Sequence, residues 1–106
     1  MEYCAVCGRP SECTHHLIGG FGKRDISEAY DLKIRLCNEH HNMAVKPESR
    51  IHGNPMAEKL SKMLGQMQFE RDFLARKMFV SDGYIPEEVL HEARTEFIEI
   101  FSRSYL

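Results

Sequence analysis

The sequence lacks long hydrophobic runs, an excess of positive charge, and repetitive or low-complexity segments. No apolar stretch among the 106 residues approaches the roughly 18 residues that a membrane-spanning helix needs, so we expect no membrane partner. The opening residues, MEYCAVCGRP, lack the basic and then apolar segments of a secretory signal, which predicts a cytoplasmic protein. The formal net charge is −2 and the pI is near 6.3, unlike the strongly basic balance of a protein that coats DNA through charge alone.

Length and composition predict a single compact domain of the α+β class. A chain of 106 residues suffices for one domain, and its 42% hydrophobic and 28% charged residues are ordinary for a globular protein. The composition and the spacing of apolar residues change near residue 55. The earlier part is rich in cysteine, histidine and glycine, and the later part has helical periodicity. We therefore expect a metal-binding core over residues 1–55 and a helical extension over residues 56–106 that packs on it.

Residues 56–79 and the residues from 86 onward have the spacing of amphipathic helices, with apolar side chains three and four positions apart. Gly65 weakens the first helix without breaking it, Pro86 suits the first turn of the second, and SDGY (81–84) predicts a turn between them. We interpret the two apolar stripes as core or interface packing. The first stripe comprises Met56, Leu60, Met63, Leu64, Met67, Leu74 and Met78, and the second comprises Val89, Leu90, Ala93, Phe97, Ile98 and Phe101.

The first half predicts the order strand, loop, strand, helix. CTHHLIGG (13–20) is typical of a short strand that runs into a glycine turn, and GGFGKRD (19–25) is typical of a loop. LKIRL (32–36) alternates apolar and basic residues, which indicates a half-buried strand with Lys33 and Arg35 on its polar face. The residues after this strand, NEHHNMAV (38–45), can start a helix.

Four cysteines indicate either disulfides or a metal site. The expected cytoplasmic location disfavours disulfides, and the CAVC spacing of Cys4 and Cys7 can point two thiolates at one ion. The stretch LCNEH repeats that spacing with Cys37 and His40, so the four residues can form a tetrahedral Cys3His zinc site. Such a site would add several kcal/mol of stability to a small core. Cys13 is the alternative to His40 as the fourth ligand.

Four further histidines lie near these cysteines in the sequence: His15, His16, His41 and His52. Adjacent residues on a strand point to opposite faces, but a distorted strand end can still bring His15 and His16 to one pocket. In such a pair, one imidazole can bind a metal while the other accepts a proton. Four histidines beside two metal-binding motifs therefore predict a second, chemically active site.

The motifs CAVCG, CTHHLIGG and DLKIRLCNEHH together resemble the HNH endonucleases, or ββα-metal nucleases, over about residues 4–53. They are similar in particular to small phage- or prophage-type members that combine a CxxC zinc site with the catalytic hairpin and helix. The resemblance implies a ββα-metal core with a structural zinc site, followed by two C-terminal helices. It also implies an enzyme that hydrolyses DNA phosphodiester bonds with one divalent ion, for which Mg, Mn, Ni and Zn are the candidates.

The same resemblance implies roles for individual residues. His16 corresponds to the general base, and His15 corresponds to a metal ligand. His41 corresponds to the catalytic histidine on the helix that binds the same ion, and His52 would complete the site. Many members of the family carry an asparagine on the second strand that orients the base, and Asp31 is the nearest candidate for that role here.

Four basic residues near the histidines are candidates for contacts with DNA phosphates: Lys23, Arg24, Lys33 and Arg35. A phage protein is a candidate partner that would direct the cut. The alternative function is a non-catalytic zinc-binding module that binds DNA or protein. A further alternative is a protein that assembles through its helical half, with the methionine-rich stripe as its interface.

Overall fold

A computed structural model describes residues 2–78 and 86–106, and the turn predicted at 81–84 lies outside them. The described residues form an α+β fold with a two-stranded antiparallel sheet and three α-helices. In chain order the elements are β1 (Cys13–His16), α1 (Lys23–Ala29), β2 (Lys33–Leu36), α2 (Pro55–Met78) and α3 (Glu87–Phe101). Within these residues, no helix combines the length and the apolar character that a bilayer crossing requires.

The two strands form where the sequence predicted them, β1 at the start of CTHHLIGG and β2 in the alternating stretch LKIRL. Cys13 pairs with Leu36 and His15 pairs with Ile34, so these four side chains share one face of the sheet. The opposite face carries Thr14, His16, Lys33 and Arg35. The first face packs toward the interior, because Leu36 is fully buried and His15 is only 4% exposed. The sheet therefore directs His15 and His16 to opposite sides.

The segment between the strands contains a helix where the sequence predicted a loop. Gly22 has a φ of +76°, a left-handed conformation that glycine adopts readily, and α1 begins directly after it. Ser27 is fully buried and donates its hydroxyl proton to the carbonyl of Ile18 at 2.7 Å. This hydrogen bond ties α1 to the chain that leaves β1, and it holds Arg24 and Glu28 in contact with the end of that strand.

The helix predicted after β2 is limited to one turn, Glu39–Met43. In this π-type turn, the N–H of Ala44 donates to a carbonyl five residues earlier at 3.0 Å. The backbone becomes extended at Ala44 and then enters a short 3₁₀ turn, Pro47–Ser49. Lys46 is also extended, with φ −88° and ψ 124°, as is usual for the residue before a proline. His40 and His41 therefore lie on a short, wide turn rather than on a regular helix.

The hydrophobic core joins the two halves of the chain. Leu17 and Ile18, which follow β1, pack against Phe69 of α2 and against aromatic residues of α3. Helix α2 approaches this segment closely at Gly65, where an added Cβ would lie 2.7 Å from Ile18 Cγ1. The core therefore spans both sides of the boundary predicted at residue 55.

Helix α2 presents a different face to the core from the one that the sequence predicted. Four members of the predicted stripe are exposed, with Met56 at 74% and the others between 45% and 57%; those others are Leu60, Leu64 and Met67. Over residues 55–77, the buried positions of the helix are instead Ser61, Gly65, Gln66 and Phe69. The close approach to the segment after β1 leaves no room for a larger side chain at Gly65, and Ser61 and Gln66 are polar, so hydrophobicity alone does not identify the packed face.

Helix α3 buries part of its predicted stripe. Ala93, Phe97 and Phe101 are at most 1% exposed, as predicted, whereas Leu90 and Ile98 face solvent at 49% and 39% exposure. The two phenylalanine rings stack with their centroids 4.5 Å apart. The buried phenylalanines of α3 belong to the same core cluster as Leu17, Ile18 and Phe69.

Candidate metal centres

Cys4, Cys7, Cys37 and His40 form one cluster, the thiolate cluster, whose ligand atoms all lie within 4.8 Å of one another. The thiols of Cys7 and Cys37 are 3.9 Å apart, and His40 Nδ1 lies 3.3 Å from Cys37 Sγ. It also lies 3.9 Å from Cys4 Sγ. Zn–S bonds of about 2.3 Å in a tetrahedron would separate two sulfurs by about 3.8 Å. The cluster can therefore hold a metal ion such as zinc.

Short local segments bring these four ligands together. The CAVC turn is closed by a hydrogen bond from the Gly8 N–H to the Cys4 carbonyl at 2.9 Å, and Gly8 has a φ of +75° that suits glycine. The Ala5 N–H donates to the carbonyl of Arg35 at 2.9 Å, which fixes this turn against β2. The other two ligands follow β2 directly, one at its end and one on the π-type turn.

Arg9 supplies positive charge beside the thiols. Its Nε lies 3.3 Å from Cys7 Sγ, and its Nη2 lies 3.7 Å from Cys37 Sγ and 2.9 Å from the Glu39 carboxylate. The hydrogen bond from Arg9 lowers the pKa of the Cys7 thiol below its ordinary value. Burial raises the pKa of the Cys4 thiol, but hydrogen bonds, chiefly from backbone N–H groups, outweigh burial and bring that pKa to about 6. Both groups are therefore biased toward thiolate, the form that binds zinc.

The structure places His40, and not Cys13, with the other three ligands. The thiol of Cys13 donates to the carbonyl of Leu36 at 3.3 Å, and burial raises its pKa. It is therefore a thiol engaged with the backbone of the neighbouring strand. The hydrogen bond from His40 to Cys4, in contrast, belongs to the cluster and raises the pKa of the His40 imidazole.

A second cluster, the imidazole cluster, contains His15, His41 and His52, with one ring nitrogen of each within 4.8 Å of the others. The three ring centroids are 4.5 to 5.4 Å apart. The Nε2 atoms of His41 and His52 are 2.9 Å apart, the separation of two nitrogens that share a proton or bind a common ion. This cluster contains no sulfur ligand, so its donor set differs in kind from that of the thiolate cluster.

Separate segments hold the three imidazoles in place. His15 lies on the inner face of β1, with its Nε2 2.8 Å from the Ser61 hydroxyl of α2. The His52 N–H donates to the His41 carbonyl at 3.0 Å, which holds these two residues side by side. Burial, followed by the charges of neighbouring histidines, lowers the pKa of His15 to about 4, and burial also lowers the pKa of His41. Both rings are therefore neutral near pH 7, as a metal ligand must be.

His16 lies on the other face of β1 and contacts two residues of α1. Its Nε2 is 3.2 Å from the Glu28 carboxylate, and its Nδ1 is 3.4 Å from Arg24 Nε. A carboxylate only accepts and a guanidinium only donates, so Nε2 carries the proton and Nδ1 is the acceptor. Hydrogen bonds from Lys33 and then from His16 lower the pKa of Glu28, which keeps this carboxylate ionised.

Asp31 does not occupy the position that the sequence predicted for it. It adopts a φ of +58° in the turn after α1, and its side chain is 84% exposed, with the carboxylate 3.8 Å from Lys33 Nζ. Glu28 contacts His16 instead. The sequence does not reveal Glu28 while residues 19–25 are interpreted as a loop. A helix there places Arg24 and Glu28 four positions apart on one face, which is the signal that could have identified them.

The four basic residues predicted to contact DNA all have partners within the protein. Lys23 donates to a tyrosine hydroxyl, Lys33 donates to the Glu28 carboxylate, and Arg35 donates to two hydroxyls. Arg24 is exposed and its contact with His16 is long, at 3.4 Å. Of the four, Arg24 is therefore best placed to reach a phosphate beside the histidines.

The histidines border one open pocket at the end of β1. Its lining includes His15, His16, His41 and His52, together with Arg24 and the glycines of the turn after the strand. His15 and His16 leave the strand on opposite sides, yet both reach the pocket because it lies at the strand's end. None of the cysteines contributes to this lining. No protein-family model, curated protein or solved structure matches the chain.

Proposed function

We propose that the chain is a metal-dependent endonuclease of the HNH type, which hydrolyses DNA phosphodiester bonds with a ββα-metal site. One observation carries the proposal: three imidazoles that could hold an ion, and a fourth with an unprotonated nitrogen, border a single pocket apart from the thiolates. Hydrolysis of a phosphodiester requires an ion-binding group and a base at the same phosphate. A zinc module with a purely structural role has no need of this second group.

The imidazole cluster suits a divalent ion. His15 and His41 are neutral near pH 7, and neutral imidazoles bind Zn, Ni and Mn, whereas Mg would retain more water. His15, His41 and His52 would hold the ion, and a set of three protein ligands leaves further positions open to the substrate. A divalent ion bound there would neutralise the charge that develops on the phosphate and on the departing 3′ oxygen.

His16 would act as the general base through Nδ1. Glu28 holds the proton on Nε2, so the lone pair of Nδ1 is available to take a proton from water. The same carboxylate would stabilise the imidazolium that forms, as an ionised partner does for a histidine base. A phosphate drawn to Arg24 would pull the guanidinium away from Nδ1 and free that nitrogen.

The thiolate cluster has a structural role in this proposal. Its four protein ligands match the closed tetrahedral sites that hold zinc for stability. The net charge of −2 gives the chain little general attraction for DNA. We therefore propose that recruitment depends on local contacts such as Arg24 and on a partner protein, for which a phage or prophage protein is the candidate.

The test is cleavage of supercoiled plasmid by the zinc-loaded protein in the presence of Mg, Mn, Ni or added Zn. We expect ion-dependent nicking by the wild type and a loss of about 10²- to 10⁴-fold in His16→Ala, because the base would be missing. Glu28→Gln should slow nicking to a smaller extent, since the amide keeps the shape but not the charge. His91→Ala, an exposed position on α3, is the matched histidine control.

Two results would count against this function. Nicking that persists in His16→Ala would remove His16 from the chemistry, and equal losses in Glu28→Gln and Asp31→Asn would remove the role given to Glu28. A folded wild type that cleaves with none of the ions would favour the alternative, a non-catalytic zinc-binding module that binds DNA or protein.

A further inference from the structure

A buried hydroxyl lies directly behind the imidazole cluster. Ser61 of α2 is 7% exposed, and its Oγ lies 2.8 Å from Nε2 of His15, which is 4% exposed. The same Oγ lies 2.7 Å from the carbonyl oxygen of Leu17, two residues after His15. A helix from the second half of the chain therefore contacts a candidate ligand in the first half.

These two distances determine which nitrogen of His15 carries the proton. A serine hydroxyl has one proton, and the Leu17 carbonyl can only accept, so Ser61 donates to that carbonyl. Ser61 must then accept from His15, which places the imidazole proton on Nε2. The other ring nitrogen, Nδ1, is left with its lone pair, and His15 belongs to the cluster of three imidazoles.

We propose that Ser61 is a positioning residue that fixes the tautomer and the ring orientation of His15, so that Nδ1 is presented to a divalent cation. This inference rests on the proposed function, because it assumes that the imidazole cluster binds an ion. Hydrogen-bonding partners behind a ligand histidine commonly change metal affinity by about 10- to 100-fold when they are removed. Gly65 lies one turn further along α2 and allows the close approach that this contact needs.

The chain offers a matched control for Ser61. Ser27 of α1 is also fully buried, and its hydroxyl donates to the carbonyl of Ile18 at 2.7 Å, next in sequence to the carbonyl that Ser61 contacts. This hydrogen bond involves no histidine. Ser27→Ala therefore removes a similar buried hydrogen bond without touching the proposed positioning of His15.

The experiment measures both the tautomer and the ion affinity of the full chain with one equivalent of zinc. Long-range proton–nitrogen NMR correlations assign the protonated nitrogen of His15, and calorimetric titration with Ni²⁺ measures binding. Thiolate-to-nickel absorption would reveal any exchange at the cysteines. We expect an Nε2–H tautomer in the wild type, with Ni²⁺ binding at least tenfold weaker in Ser61→Ala than in Ser27→Ala. Ser61→Thr, which keeps the hydroxyl, should retain most of the affinity.

The outcomes separate this inference from the proposed function. Equal Ni²⁺ affinity in Ser61→Ala and Ser27→Ala would overturn the role of Ser61. So would a wild-type His15 protonated on Nδ1, and this measurement stands even where Ser61→Ala fails to fold. A wild type with the expected tautomer that binds no ion at its histidines would instead overturn the proposed function.

Discussion

The two clusters of potential ligands share the π-type turn, which supplies His40 to one and His41 to the other, but they are built in different ways. The thiolate cluster uses two short turns that follow the sequence spacing closely, and it gathers four ligands. The imidazole cluster gathers three ligands from β1, the π-type turn and the segment around His52, and it is supported by α2. A closed set of four suits an ion that only stabilises, whereas a set of three leaves room for a substrate.

The surroundings of the two clusters influence the protonation of their ligands through different physical effects. Around Cys4 and Cys7, Arg9 and backbone N–H groups favour loss of a proton, and the pKa of Cys4 falls to about 6. At Cys37, a backbone hydrogen bond at His40 lowers the pKa, but burial and the neighbouring thiols raise it overall. Around the imidazoles, burial opposes gain of a proton, and the pKa of His15 falls to about 4. These effects favour the metal-binding form of particular ligands, as an anion for Cys4 and Cys7 and as a neutral ring for His15.

The largest expected effect is loss of the thiolate cluster. Cys4→Ser removes a buried ligand, and structural zinc sites contribute about 10 kcal/mol or more, comparable to the whole stability of a small domain. We expect the variant to bind no zinc at this cluster and to lose cooperative thermal unfolding. Zinc content and circular dichroism would measure both.

Cys13→Ser is the matched control for this substitution. Serine at position 13 can still donate to the Leu36 carbonyl, and Cys13 lies outside the cluster. It should retain zinc and fold normally. If both variants kept one zinc and the same midpoint of thermal unfolding, the thiolate cluster would have no structural role. The contrast drawn between the two clusters would then be wrong.

The two groups of candidate ligands could be recognised in the sequence because short spacings determine much of their geometry. CAVC and LCNEH each place two ligands within one turn, and the four histidines that the motifs indicated do border one pocket. Glu28 and Ser61 could not be identified in the same way. Glu28 reaches His16 only because the segment predicted as a loop forms α1, and Ser61 reaches His15 from α2, 46 positions further along the chain. Asp31, which is nearer to the expected strand, faces solvent.

Prediction of the fold from the sequence meets the same limit as prediction of the site. Strand alternation placed β2 correctly because its period is visible in five residues, LKIRL. The packed face of α2 could not be predicted from hydrophobicity, since Ser61 and Gly65 face the core while Met56 and Met67 are exposed. There, the distance between α2 and the segment after β1 decides which residues are buried, and that distance is a property of the assembled fold.

The second expected effect is a pH dependence that belongs to the imidazole cluster. The pKa of His15 is about 4 in the folded chain, below the value of about 6.5 expected when unfolded. As pH falls below about 6.5, the imidazole of His15 therefore becomes protonated in the unfolded state, whereas in the folded state it stays neutral until the pH approaches about 4. This difference should lower the free energy of unfolding by a total of about 3 kcal/mol by pH 4, and the loss should be fully reversed above pH 6.5.

Urea unfolding of the protein with one equivalent of zinc would measure this effect. Between pH 6 and pH 5, wild type should lose about 1 kcal/mol more stability than His15→Gln, because glutamine has no proton to bind. His91→Gln, an exposed position on α3, should behave as wild type does. Parallel pH profiles for wild type and His15→Gln would show that burial of His15 does not oppose its protonation.

The smallest expected effect tests whether α2 supports only one of the two clusters. In Gly65→Ala, helix propensity favours alanine by about 1 kcal/mol, but the new Cβ would lie 2.7 Å from Cγ1 of the fully buried Ile18. Overpacking of this kind costs about 1–3 kcal/mol, so we expect a net loss of about 1 kcal/mol. Gly19→Ala, whose Cβ meets nothing within 4 Å, is the control for the change in the free energy of unfolding. Because a displaced α2 carries Ser61 away from His15, Ni²⁺ binding at the histidines should weaken while zinc content stays at one equivalent. Loss of zinc together with Ni²⁺ binding would mean that the two clusters depend on a common support.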